Sequence, residues 1–130
     1  MGSIIWRLST SLLLGCVSAF TTSISSSFAQ SNIIPDETLG ATESSRVIFN
    51  FNGASNDAII GGAERGQNLF HSFREFGVNE NRGAYFLTPN ANIQNIFARV
   101  TGSNASQIFG TLGVRQANNF TPSTANLYLM

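Results

Sequence analysis

Turn-forming residues punctuate this sequence throughout. Beyond its first thirty residues, no apolar run goes far before glycine, asparagine or proline interrupts it. Arg46-Val47-Ile48-Phe49-Asn50-Phe51 stops at Asn52-Gly53, Asp57-Ala58-Ile59-Ile60 at Gly61-Gly62, and Gly83-Ala84-Tyr85-Phe86-Leu87 at Thr88-Pro89-Asn90. Such stops set turn geometry, so segments this short read as strands recurring about every 10–15 residues. Val47, Phe49 and Phe51 alternate with Ile48, Asn50 and Asn52, the two-residue period of a half-buried strand. Ile33-Ile34 before Pro35 favours extended backbone. Ile108 to Val114 reads as one strand with Ile108, Gly110, Leu112 and Val114 on one side, and Ala125–Met130 begins another. Two stretches stay ambiguous on periodicity. Leu69, Phe70, Phe73 and Phe76, and Ile93, Ile96, Phe97 and Val100, also fit one face of a helix. The pattern as a whole predicts an all-β fold with a ring-rich core, since eleven residues are Phe. A β-solenoid of unequal rungs and a closed sandwich both fit it.

Charge narrows the function. Charged residues make up 11% of the chain, all seven basic residues are Arg, and seven acidic residues balance them. That balance supplies no basic footprint for nucleic acid, and 42% hydrophobic residues argue against a disordered chain. Cys16 is the only cysteine and His71 the only histidine, so neither an internal disulfide nor a zinc site is expected. His71 beside Ser72 lacks the third member of a triad. Glu75 and Glu80 show no spacing that argues for a glycosidase pair. Gly61-Gly62 is followed by no Gly-Lys-Ser/Thr of a phosphate loop. These observations predict no catalytic, cofactor or metal residues.

Residues 1–29 read as a signal peptide. Arg7 is the only charge, Leu12 to Phe20 is a short apolar run, and Ser27-Phe28-Ala29 precedes Gln30 as a small-residue cleavage site. The run is too short for a permanent bilayer span, so no stable membrane span is expected in the mature chain. A competing lipoprotein reading rests on Leu13-Leu14-Gly15-Cys16, but apolar character continues past the cysteine.

Four stretches, in order, carry a resemblance. They are Asn32-Ile33-Ile34-Pro35-Asp36-Glu37-Thr38-Leu39-Gly40, then Ile60 to Val78 with its glycine turn, His71 and spaced aromatics, then Tyr85-Phe86-Leu87-Thr88-Pro89-Asn90, and finally Asn95 to Leu112. Together they resemble the N-terminal secretion (TPS) domain of filamentous-haemagglutinin-type two-partner-secretion exoproteins, in a form that looks cyanobacterial. Thr88 and Ala105 stand where that family often has Asn and Pro, and Arg115–Thr124 resembles an insertion. The resemblance implies a right-handed parallel β-helix with N-terminal capping strands, for which residues 31–60 are the candidate, and resolves Leu69–Phe76 toward strand. Ala125–Met130 resembles the strand before a further turn, so residues 30–130 are expected to be a truncated domain, incomplete at the C-terminal end. The implied partner is an outer-membrane β-barrel transporter with periplasmic domains. The implied route crosses the inner membrane and periplasm to the cell surface or medium. Asn68, His71, Phe73, Phe76, Thr88, Pro89 and Asn90 are the candidate export-recognition residues, and Ala29 and Gln30 flank the cleavage site. A short exported envelope or glycan-binding protein, or a non-functional gene fragment, is the alternative.

Overall fold

A computed structural model describes residues 30–130; the signal-peptide reading, Cys16 and Ala29 lie outside the described residues. The chain is all-β. Ten strands follow in order: β1 Asn32–Pro35, β2 Ser45–Ile48, β3 Asn56–Gly61, β4 Ala63–Arg65, β5 Asn68–Val78, β6 Gly83–Thr88, β7 Asn95–Val100, β8 Gln107–Ile108, β9 Thr111–Gln116 and β10 Asn126–Leu129. The first sheet runs β1-β5-β7-β10, with β4 and β8 also on β5, and the second runs β2-β3-β6-β9.

Both sheets are mixed. β5, β7 and β10 pair parallel, as do β3, β6 and β9. β1 and β4 join β5 antiparallel, and β2 joins β3 antiparallel. The right-handed parallel β-helix that the resemblance implies is therefore met only in part: parallel ladders are flanked by antiparallel strands in mixed sheets. Of the expected cap, β1 and β2 are antiparallel additions, whereas β3 belongs to the parallel ladder. β4, outside residues 31–60, is a third antiparallel addition.

Successive parallel strands place like residues in line. Asn68, Asn95 and Asn126 share one register, as do Phe70, Phe97 and Tyr128. Asn95 donates its amide to Asn68, 27 residues earlier, at 3.1 Å; Asn126 donates to Asn95, 31 residues earlier, at 3.3 Å. The Phe70 and Phe97 rings stack at 5.3 Å, and Phe97 and Tyr128 at 5.0 Å.

The register explains the helix-like spacing of β5. Leu69, His71 and Phe73 are buried, as are Phe76 and Val78, while Phe70 belongs to the half-exposed ring column. The shift between the two sets falls where β1 skips a residue opposite Glu75 and Phe73. Both sheets contribute to one core, in which the Phe73 and Phe76 rings meet Phe86 at 6.0 and 5.7 Å. Each such buried ring contributes about 2–3 kcal/mol through burial, which lets a chain poor in charge hold its shape. Ile93 is a buried residue of the loop before β7 and Ile96 a buried strand residue, so their helical spacing is likewise incidental.

Two strand expectations are corrected. β2 ends at Ile48, and Phe49 to Gly53 turns through left-handed Asn50 (φ 53) and Asn52 (φ 55) into a 3-10 turn. The cause is a buried ion pair, Asp57 with Arg82: Asp57 accepts the Asn50 amide at 3.1 Å and Arg82 donates to the Asn50 side chain at 2.9 Å. Those bonds draw the backbone off the sheet line. Ile108 to Val114 is also not one strand. β8 pairs with Gly77–Val78 in the first sheet, β9 with β6 in the second, and the chain turns at Phe109–Gly110. A Cβ at Gly110 would collide with the Arg82 and Asn79 carbonyl oxygens, so only glycine lets the chain pass between sheets there.

Candidate export-recognition site

The turn after β6 is built from side chain to backbone. Thr88 ends the strand, is buried, and its hydroxyl reaches the Arg115 carbonyl at 3.4 Å. Its own carbonyl accepts the Ala117 amide at 3.0 Å, tying the turn to the next coil. Pro89 and Asn90 then emerge into solvent. Asn90 accepts the Asn92 amide at 2.9 Å, a side-chain-closed turn that asparagine forms readily, and donates to Glu64 on β4 at 2.8 Å. Beside this turn lies a cavity of about 260 Å³, lined by Ile60, Leu69, Leu87, Pro89 and Ala117 with the Gly61–Gly62 backbone. The arrangement offers an apolar hollow with a fixed amide at its lip.

Gly61–Gly62 shapes that hollow from behind. Gly62 has φ +88, and a Cβ there would lie 2.6 Å from the Phe70 carbonyl oxygen and 2.9 Å from the His71 ring. His71 is 1% exposed. Its Nδ1 lies 2.9 Å from the Ser45 hydroxyl, which also accepts the Ser72 amide at 3.1 Å. Its ring meets Phe86 edge-on at 5.2 Å, and its Nε2 has no hydrogen-bond partner among the described residues. Burial pushes the imidazole down to about 4, so the ring is neutral near pH 7.

The expected site residues thus separate. Pro89 and Asn90 stand together at the surface with Gly61–Gly62. Asn68 is half-buried in the asparagine column. His71, Phe73, Phe76 and Thr88 are buried, so their side chains do not face solvent. Gln30 is exposed, and its carbonyl accepts the Asn79 side chain at 2.7 Å. Ile60, Leu69, Leu87 and Ala117 lie on different strands and turns, so nothing local in the sequence joins them into one wall. Glu64 sits inside the glycine-turn stretch, and that was its only signal.

The geometry offers little for catalysis. The hydroxyl beside His71 is that of Ser45, whereas Ser72 holds the Arg99 Nε at 2.9 Å. The Glu75 carboxylate is occupied by the Asn32 and Asn104 amides at 2.6 and 2.7 Å, and these bonds lower its pKa. Among the described residues no group of three His, Cys, Asp or Glu is placed to hold a metal ion. No helix among them is long and apolar enough to cross a membrane.

Comparison with known proteins identifies a family. The profile of the TPS secretion domain matches residues 31–130. No curated protein and no solved structure matches the chain. A TPS domain is a secretion-targeting module of two-partner-secretion exoproteins. It is not a catalytic family, and it implies an outer-membrane transporter as partner. With the match running from just before β1 to Met130, the chain belongs to the TPS secretion domain family.

Proposed function

We propose that this domain targets an adhesin-like exoprotein of the filamentous-haemagglutinin type to its transporter. Residues 1–29 act as the signal peptide and are removed after Ala29. The mature chain crosses the periplasm, meets the transporter's soluble periplasmic domains there, and passes to the cell surface or medium. The observation that carries this reading is the family match over residues 31–130. The parallel ladders support a right-handed β-helix whose N-terminal end is covered by β1, β2 and β4.

Within that reading, Pro89, Asn90 and the adjoining hollow form the contact surface. Asn68 contributes through its column, and His71, Phe73, Phe76 and Thr88 act from behind by holding the turn in place. Exposed turn residues positioned by a rigid scaffold commonly carry recognition. Extended segments that add to sheet edges supply affinity through backbone hydrogen bonds. The test is binding of the transporter's periplasmic domains to the wild type and to a Pro89→Ser, Asn90→Ala double variant. Binding should weaken by about tenfold, as for an interface centred on few residues, with the melting transition retained. Equal binding by a folded variant would remove this turn from the contact.

A further inference from the structure

A second cavity, of about 370 Å³, shares no lining residue with the Pro89 hollow. Phe70 and Phe97, stacked at 5.3 Å, line it with Leu39 and Met130. Two guanidinium groups border it, and their circumstances differ. Arg65 is held by Glu43 at 2.8 Å, so its charge is answered. Arg99 pairs with no carboxylate among the described residues. Its Nε donates to Ser72 at 2.9 Å and one terminal nitrogen to Thr38 at 2.5 Å, both hydroxyl acceptors. The nearest acid in this network is Asp36, one hydroxyl further on: it accepts from Thr38 at 2.6 Å and from Thr101 at 2.6 Å. Arg99 is therefore oriented by two neutral contacts, exposed, and left with donors to spare, since a guanidinium carries five. A cation fixed in this way beside an apolar groove complements a carboxylate attached to a large apolar group.

We infer that this groove binds an extended peptide segment that places a carboxylate on Arg99 and an aromatic or large aliphatic side chain against Phe70 and Phe97. Resting on the secretion reading above, that segment belongs to the transporter's periplasmic domains, which gives the domain a second contact beside the Pro89 turn. Two spaced contacts on one rigid body raise affinity beyond either alone.

The experiment titrates the isotope-labelled protein with two end-blocked tripeptides, phenylalanine–glutamate–phenylalanine and phenylalanine–glutamine–phenylalanine. Saturable shifts at Thr38, Phe97 and Arg99 are expected, with the acidic peptide binding about fivefold more tightly, the scale of an exposed ion pair in a partly apolar setting. Arg99→Gln should abolish that preference. Arg65→Gln should leave it intact, because Arg65 already has its carboxylate. Equal binding of the two peptides, or shifts mapping to another face, overturns the inference. A second arm measures the transporter's periplasmic domains against the wild type and Arg99→Gln. If the peptides behave as expected but those domains bind neither protein, the groove stands and the secretion reading falls. If those domains bind both proteins equally and the peptides cause no shifts, the groove falls and the secretion reading stands.

Discussion

A single buried imidazole sets how this fold responds to acid. In the folded chain burial holds His71 down to about 4, against an ordinary value of 6.5. Above pH 6.5 the ring is neutral in both folded and unfolded chains and contributes no pH dependence. As pH falls from 6.5 to 4, the unfolded chain takes up a proton that the folded chain refuses, so stability declines. Below 4 both forms are protonated and that decline ends, after a loss of about 3 kcal/mol. Asp36 acts lower on the scale. Burial pushes its carboxyl up, but hydrogen bonds from Thr101, Thr38 and Ser72 outweigh this and hold it well below the usual range. Its contribution is present above about pH 4 and is lost as pH falls further. Denaturant melts from pH 7 to pH 3 should show both limbs for the wild type, and His71→Phe should keep only the lower one. Gly62→Ala should cost more than about 2 kcal/mol, because it adds a collision to a positive φ. Gly40 also has a positive φ but nothing near its missing Cβ, so Gly40→Ala should cost only about 1 kcal/mol. Unfolding midpoints of the two variants separate these cases. A lone histidine and a double glycine were visible in the sequence; the contact between them was not, because the ring and the Gly62 α-carbon meet only when β4 folds back on β5.

At the scale of elements, legibility followed local chemistry. Asn32–Pro35, Asn56–Gly61, Gly83–Thr88 and Asn126–Leu129 lie close to where turn residues and alternation placed them. The failures share one cause. Phe49 leaves the sheet because of a buried ion pair, and Ile108 to Val114 divides because carbonyl groups of the preceding coil crowd Gly110. Neither cause is local in sequence. Periodicity in β5 was misleading for a related reason: its irregularity against β1 shifts the buried face between Phe73 and Phe76, so one strand acquires helix-like spacing. Exposure of strands to solvent also predicts their dynamics. β6 is flanked by β3 and β9, whereas β10 pairs with β7 alone among the named strands and none of its residues is fully buried. In hydrogen exchange, Phe86 should therefore reach the slowest class, and β10 amides should exchange at least about a hundredfold faster. Protection of β10 equal to that of β6 in a monomer would show that its free edge is covered.

For the molecule as a whole, the ion pair between Asp57 and Arg82 is the chief polar anchor. Both side chains are almost fully buried, and they join the turn at Asn50, strand β3 and the turn before β6. Removing one partner leaves the other charged and buried, which costs about 3–5 kcal/mol. Asp57→Asn and Arg82→Met should each destabilise on that scale in urea melts. The double variant should be less destabilised than the sum of the two, since neither charge is then stranded. The family was legible from the sequence because its motifs are ordered along the chain. The Pro89 hollow and the Arg99 groove were not, because each gathers side chains from several coils.

The change in spacing from 27 to 31 residues between the asparagines has a practical consequence. The added residues leave the β7–β10 register intact, and most of them are taken up at the corner after β9, where Ala117, Asn118 and Asn119 are exposed. That corner is anchored at its far side. Phe120, at φ 58, packs on Tyr85 at 5.4 Å and on Phe51 at 5.3 Å, and Arg115 lies over both the Tyr85 and Phe120 rings. Loop length is thermodynamically inexpensive where the flanking backbone is already fixed. The corner is thus a splice point, at which a foreign epitope between Asn118 and Asn119 can be displayed while the strands on either side keep their alignment.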